Sequence, residues 1–325
     1  MAFEALFRPE LSDRDSHAFD AFVGSVPTAH YSQSRAWAMM GVVGRPMVPW
    51  YFLLRVSGEI RAAAVVRRVK GVGPLYVPSA SIERGPVLAQ PEDLHQALQA
   101  LLRATHRAGI LRLSLMPYLH GDQIKAAEGT LRALRFSSTQ RLDGAHARTL
   151  RFPLEGADRL SKKVRAETRR AEREGASSRQ ASRSDLRRIA ALHEQMMGAQ
   201  RKQGRALPYF ESLWAHVLEG GEHGRLFLCE NAQGELLSFA LVAAHGSRAT
   251  YAMGASSAQR TPYTKMAPAL LAAVAWAESA GCTEFDLGGI PMVGDTDAKR
   301  ASIAEFKMQF VKDPTVLVGE HTRWF

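Results

Sequence analysis

The chain has 325 residues, 46% hydrophobic and 23% charged, with a formal charge of +10. That balance excludes a disordered or low-complexity protein, and the length favours two cores over one. No run of about 20 uncharged apolar residues occurs, so no membrane-spanning or stably inserted helix is expected. The N-terminal MAFEALFRPELSDRD carries an early acid and no basic flank before an apolar region, unlike a secretory signal. Two cysteines, Cys229 and Cys282, leave no room for a disulfide framework, and their apolar surroundings read as buried thiols in a reducing cytoplasm. The eleven histidines show no metal-ligand spacing, so no metal is expected.

Residues 15–40 read as helical, ending near Gly41–Gly44. Trp50–Val56 and Glu59–Arg68 are apolar runs joined by Ser57-Gly58, a two-residue hairpin signal. Leu75–Val77 and Gly85–Leu88 read as short strands or loop edges. Leu94, Leu98, Leu101 and Leu102 mark an amphipathic helix over Pro91–Ala108, stopped by Gly109. Ile110–Leu115 is a strand and Gly121–Leu134 a helix, and Phe136 opens a short polar stretch before Arg148–Leu154. The second half repeats the order: helices over Leu160–Glu174, Ser184–Gln203 and Pro208–Leu218, strands at Arg225–Glu230, Glu235–His245 and Arg248–Gly254, an apolar helix over Ala267–Ala280, and a strand at Glu284–Leu287 entering Gly288-Gly289. Helices on an open mixed sheet, used twice, give an α+β fold of two lobes. The expected boundary lies near 143–150, at Asp143-Gly144-Ala145-His146, giving domains 1–147 and 148–315, with a tail 316–325 that returns to the first.

Charge is concentrated. Between Arg159 and Arg188 stand eleven basic residues against four acids, a net +7. Such a stripe attracts polyanions, nucleic acid above all, or is a solvated arginine-rich helix face.

Several segments, in order, resemble the Fem family of aminoacyl-tRNA-dependent peptidyltransferases, which are built from two acetyltransferase-like (GNAT) lobes. They are Tyr31–Ala38 (YSQSRAWA), Gly85-Pro86-Val87, Ser161–Gly175 (SKKVRAETRRAEREG), Gly204–Phe210 (GRALPYF), Phe285–Ile290 (FDLGGI) and Glu305–Asp313 (EFKMQFVKD). The resemblance spans nearly the whole chain. It implies transfer of an amino acid from aminoacyl-tRNA to an amine, in a peptidoglycan precursor or another peptide or small molecule, with no cofactor. Lys307, in the Phe-Lys element, is implied as the catalytic cation facing the ester carbonyl or the tRNA end. Read from its neighbours alone, it is also a lysine snorkelling beside Phe306 and Phe310. Arg205, Tyr209, Tyr251, Phe306 and Glu320 are implied to bind substrate. Their plainer readings are a surface arginine, core aromatics and a surface carboxylate. Lys162, Lys163, Arg165, Arg169 and Arg170 are implied to hold tRNA. Asp286 reads as a general base or, better, as a carboxylate accepting N–H bonds in the Gly turn.

The sequence departs from the family at Gly41, where a lysine is usual in members using a nucleotide-linked precursor. It departs again at Arg112-Leu113-Ser114-Leu115, which lacks an acid, and at Met253, where a tyrosine is common. Two of these changes remove polar contacts from the acceptor side, which points away from the cell-wall nucleotide precursor as acceptor. Two other functions stay open. One is an acyl-CoA-dependent N-acyltransferase, whose pyrophosphate loop would be Ser257–Ala267 (SAQRTPYTKMA), a stretch without glycine. The other is a non-enzymatic RNA-binding module, supported by the basic helix alone.

Overall fold

A computed structural model describes residues 3–40, 42–71, 76–139, 147–155 and 161–325. In chain order its elements are β1 (Phe3–Arg8), α1 (Asp13–Ser25), α2 (Arg35–Ala38), β2 (Met47–Val56), β3 (Glu59–Val69), β4 (Ser79–Glu83), β5 (Val87–Leu88), α3 (Leu94–Arg107), β6 (Arg112–Met116), α4 (Gln123–Ala133), β7 (Ser137–Ser138) and β8 (Arg148–Pro153). Then come α5 (Lys162–Arg173), β9 (Ser177–Gln180), α6 (Leu186–Ala199), α7 (Leu207–Leu213), β10 (Gly224–Glu230), β11 (Leu236–His245), β12 (Arg248–Ser256), α8 (Met266–Ser279), β13 (Glu284–Gly289), α9 (Ala298–Lys307), β14 (Thr315–Val316) and β15 (His321–Trp324). They fall into two units, Met1–Arg148 with Gly289–Asp295 and Thr315–Phe325, and Thr149–Gly288 with Thr296–Pro314. The expected interruption at Asp143–His146 lies outside the described residues, as do Gly41 and Leu75.

In the first unit, Ser57 and Gly58 both take positive φ (51° and 89°), which turns β2 back onto β3 in register with the right-handed twist of the strands. The sheet runs β1-β2-β3-β4-β6-β15-β7, with β4 and β6 parallel and β5 beside β3. Alternate residues of the central hairpin face opposite ways. Leu53, Ala63 and Val65 pack with Phe19 and Val23 of α1, whereas Phe52, Leu54, Ala62 and Ala64 pack with Leu98 and Leu101 of α3. Burial on both faces explains why these strands read as continuous apolar runs rather than alternating ones. The tail returns as β15, antiparallel to β6.

The region 15–40 is broken where one helix was expected. Ser12 caps α1, which stops at Val26-Pro27, since proline ends a helix at the residue before it. A 3₁₀ turn, Tyr31–Gln33, and the short α2 follow. Strands β1, β4, β7, β9, β14 and β15 were missed. β1 and β9 lie at sheet edges and are largely exposed, so they carry no apolar run; β4 (SASIE) is short and weakly apolar.

The two first-lobe motifs meet. The Gln33 amide donates to the Glu83 carbonyl and accepts from the Val65 N–H at 2.8 Å, while the Ser32 hydroxyl donates to the same Glu83 carbonyl at 3.0 Å. A Cβ on Gly85 would stand 2.7 Å from the Gln33 amide, so glycine is required by close approach. Buried Gln33 thus fastens the 3₁₀ turn to β3 and to the end of β4. Gln33→Ala takes the acceptor from the buried Val65 N–H and one donor from the Glu83 carbonyl, which keeps the Ser32 hydroxyl, and should destabilise the first unit by about 2 kcal/mol in urea unfolding. A loss below about 0.5 kcal/mol would show that water replaces the amide.

Candidate functional site

The second unit's sheet includes the order β8-β13-β12-β11-β10-β9, antiparallel except where β12 and β13 run parallel. The parallel ladder pairs Arg248–Thr250 with Glu284–Asp286; β12 runs on to Ser256 and β13 to Gly289 beyond the last pair. Just past that point β12 carries a bulge, for Leu241 and Val242 on β11 face Met253 and Tyr251, leaving Ala252 unpaired. The bulge re-aims Tyr251 along its own strand. A Cβ on Gly254 would lie 2.1 Å from the Tyr251 hydroxyl and 2.7 Å from the Phe239 carbonyl, so only glycine leaves space for this phenol. The Tyr251 hydroxyl points at the Met266 sulfur, 3.9 Å away, and burial raises its pKa above the ordinary tyrosine value.

Lys307 is the last residue of α9 and is 8% exposed. Its ammonium lies 5.7 Å from the centre of the Tyr251 ring, and a Cβ on Gly288 would come within 3.6 Å of it. Gly288 has φ +75°, so the Gly turn brings bare backbone to the amine. Asp286, buried at the end of the ladder, accepts hydrogen bonds from the Gly288 N–H at 2.7 Å and from the Thr149 hydroxyl. That is the turn-stabilising role its sequence context favours. Burial pushes the Lys307 ammonium down to about 8, against a smaller upward pull from Asp286. Phe306 is half-buried and meets Phe310 edge-on at 5.5 Å. Helix α9 stops at Lys307, so Phe310 lies one turn past the helix rather than on its face, and the rings still touch.

Arg205 and Tyr209 form a second pair. Arg205 lies ahead of α7, and its guanidinium stands 4.8 Å from the centre of the Tyr209 ring. The Arg205 backbone N–H donates to Nδ1 of His193 on α6 at 2.9 Å. His193 was not singled out from the sequence, since one histidine in an apolar helix face carries no spacing signal.

A groove of about 690 Å³ opens between α6, the end of β12 and α9, lined by Met196, Lys202, Ser257, Arg300 and Ile303 among others. Arg300, Ile303 and Lys307 recur at helical spacing along one face of α9, and Ile303 precedes Lys307 by about 6 Å of helix axis. On α5, Ser161 caps the first turn, Val164, Thr168 and Ala171 are buried, and Lys162, Lys163, Arg169 and Arg170 are exposed, with Arg165 half-buried. The basic stripe is shorter than its sequence count suggests. Arg179 and Arg188 bind Asp185 and Glu230 in an ion-pair network, and Arg159 lies outside the described residues. Glu320 belongs to the first unit, where its backbone carbonyl accepts from Thr139 at 2.9 Å. Ser114, at the position lacking the family acid, pairs its hydroxyl with Thr322 across β6 and β15 at 2.8 Å. Among the described residues no three His, Cys, Asp or Glu side chains cluster as a metal site, and no helix is long and apolar enough to cross a membrane.

Residues 158–300 match the acetyltransferase (GNAT) domain family. Comparison with curated proteins finds no sequence match. Among solved structures, FemX superposes with a TM-score of 0.81 at 20% identity, covering 99% of this chain and 97% of that one. A tandem GNAT protein from the clavulanic acid biosynthesis pathway gives 0.62 at 11% identity, covering 99% and 98%. L-PGS from Bacillus licheniformis gives 0.58 at 15% identity, covering 98% and 92%. The fold is therefore the Fem-type tandem GNAT fold.

The depressed Lys307 pKa has a stability consequence. The unfolded lysine titrates near 10.5 and the folded one near 8, so at pH 8 and below the buried charge costs on the order of 3 kcal/mol. Between pH 8 and 10.5 only the unfolded state stays protonated, so this penalty fades as pH rises. Lys307→Met should therefore stabilise the second unit at pH 7 by about 1–3 kcal/mol in urea unfolding, with the gain shrinking towards pH 10. Destabilisation at pH 7 would contradict the buried charge.

Proposed function

We propose that this chain, an acyltransferase by fold, transfers an aminoacyl group from aminoacyl-tRNA to an amine and forms an amide bond. The observation that carries the reading is the desolvated Lys307 ammonium at the end of the β12–β13 ladder, beside Tyr251 and the Gly288 backbone. A neutral acceptor amine attacks the ester carbonyl carbon, and negative charge builds on the carbonyl oxygen. A cation held in a low-dielectric site stabilises that charge far better than one in water. Collapse of the intermediate breaks the ester C–O bond and releases the terminal ribose oxygen of the tRNA; the amine proton leaves through substrate or water. An activated ester makes amide formation downhill, so positioning and this one cation supply most of what is needed.

On this reading the groove along α9 receives the end of the donor, with Arg300 and Lys202 at its rim, and the exposed face of α5 attracts the acceptor-stem phosphates. Arg205, Tyr209, Tyr251, Phe306 and Glu320 are the residues proposed to bind substrate. The acceptor is an amine of a peptidoglycan precursor or of another peptide or small molecule. Ser114, committed to Thr322, supports an acceptor other than the nucleotide-linked precursor. The cytoplasm supplies charged tRNA, so the reaction belongs there.

An acyl-CoA donor is the second reading, favoured by the match of 158–300 to the acetyltransferase (GNAT) family and by the likeness to the tandem GNAT protein from the clavulanic acid biosynthesis pathway, solved without AcCoA. The loop before α8 weighs against it. Here the Glu167 carboxylate, from α5, accepts the Thr264 N–H at 2.7 Å. The Lys265 ammonium is turned onto the Ser257 and Gln259 carbonyls, and Pro268 removes a further N–H from the first turn of α8. A pyrophosphate arriving there meets a carboxylate already in place of it.

The test is incubation with labelled aminoacyl-tRNAs and, separately, labelled acyl-CoAs. The expected outcome is acyl loss from tRNA only, slowed about 10²-fold or more by Lys307→Ala; loss from CoA alone would establish the second reading. Binding of tRNA should weaken steeply with salt, and each of Lys163→Ala and Arg170→Ala should lower the slope of log K against log salt by about 1. A slope unchanged in both variants would remove α5 from the tRNA contact.

A further inference from the structure

Gly204 and Arg205 open the segment that carries the Arg205–Tyr209 pair, and two separate contacts press it onto one turn of α6. A Cβ on Gly204 would stand 2.6 Å from the Cα of Glu194, which is helix backbone and cannot yield. One residue on, the Arg205 N–H donates to Nδ1 of His193. His193 itself is 6% exposed and wedged between aromatic rings, with Phe210 of α7 at 5.9 Å and Phe239 of β11 at 6.3 Å. A backbone N–H can only donate, so Nδ1 must be the unprotonated nitrogen and the ring the neutral Nε2–H tautomer. Burial, with the nearby Arg205 charge, lowers the imidazole's pKa and keeps it in that form.

We infer that His193 is the positioning residue for the substrate-binding pair: its Nδ1, with the glycine contact beside it, fixes where the Arg205 guanidinium stacks on Tyr209. The inference rests on the reading that Arg205 and Tyr209 bind substrate. The chemistry is indirect, since His193 touches the backbone of Arg205 and not its guanidinium. An arginine on a free loop would sample many directions, and holding its N–H fixes the start of the side chain. The substrate group it serves is an anion, a phosphate or carboxylate, because a guanidinium stacked on a ring leaves its N–H edge free to form paired hydrogen bonds to planar or tetrahedral oxygens.

Two substitutions separate positioning from packing. His193→Phe keeps a ring between Phe210 and Phe239 and removes the acceptor. His193→Asn loses ring contact and can place its amide oxygen near the position of Nδ1. If the hydrogen bond positions Arg205, the Phe variant raises KM for the anionic substrate about tenfold with kcat within about a factor of two, and the Asn variant stays nearer wild type despite lower stability. If His193 only fills space, the order reverses, with Phe tolerated and Asn impaired, and the inference falls. Gly204→Ala should reproduce the KM effect of His193→Phe. A second readout needs no turnover. In ¹⁵N NMR of the full chain His193 should show the Nε2–H tautomer, and the Arg205 amide should exchange faster in His193→Phe than in wild type. An Nδ1–H tautomer would overturn the clamp even if transfer from tRNA is established; failure of the transfer assay with an intact Nε2–H tautomer would instead overturn the functional reading.

Discussion

A lysine ammonium kept out of water organises the second unit. Lys307 is held at the end of a helix, against an aromatic ring and a stretch of bare glycine backbone, and its pKa is lowered by burial more than Asp286 raises it. A methionine of similar size would fill the space without the desolvation penalty. The surrounding structure is shaped to allow the lysine. A strand bulge turns Tyr251, Gly254 vacates the space beneath its hydroxyl, and the turn at Gly288 removes any side chain that would screen the amine.

The loop ahead of α8 bears on the choice between the two proposed donors. Where an acyl-CoA enzyme leaves loop amides before the central helix open to a pyrophosphate, this chain supplies a carboxylate of its own through Glu167. Because Glu167 lies on α5, that contact also fastens the basic helix to the loop ahead of α8. In the first unit a family acid gives way to Ser114, which serves as a cross-strand partner for Thr322. Lys307 sits in the Phe-Lys element the resemblance points to.

Much of the fold was legible because local signals agreed with the long-range result. Ser57-Gly58 set the first hairpin, Gly109, Gly175 and Gly281 ended their helices with positive φ, and leucines at helical spacing marked α3. What escaped reading was either exposed or depended on contacts distant in sequence. The edge strands β1 and β9 have few apolar residues because little packs on them, and Pro27 outweighed the helical pattern around it. In the site, Phe306-Lys307 and Arg205…Tyr209 could be picked out as motifs. Their supports could not: Thr149 reaches Asp286 across 137 positions, Glu167 reaches Thr264 across 97, and His193 acts through a backbone amide. The charge count from Arg159 to Arg188 overstated the basic surface, because sequence does not reveal which arginines are already bound to Asp185 and Glu230.

The central claim is that Lys307 works as a cation, and the pH dependence of transfer tests it most directly. The measurement is kcat/KM for the aminoacyl donor across pH 6–9.5, with an acceptor amine of pKa well below that window, on the wild type, Asp286→Asn and Lys307→Arg. The account predicts a rate that falls as pH rises through about 8. The fall should move to lower pH when the Asp286 charge is removed, and should vanish in Lys307→Arg, whose guanidinium stays charged throughout. A rate that climbs through the same pH would mean that the neutral amine is the working form, and would contradict the account.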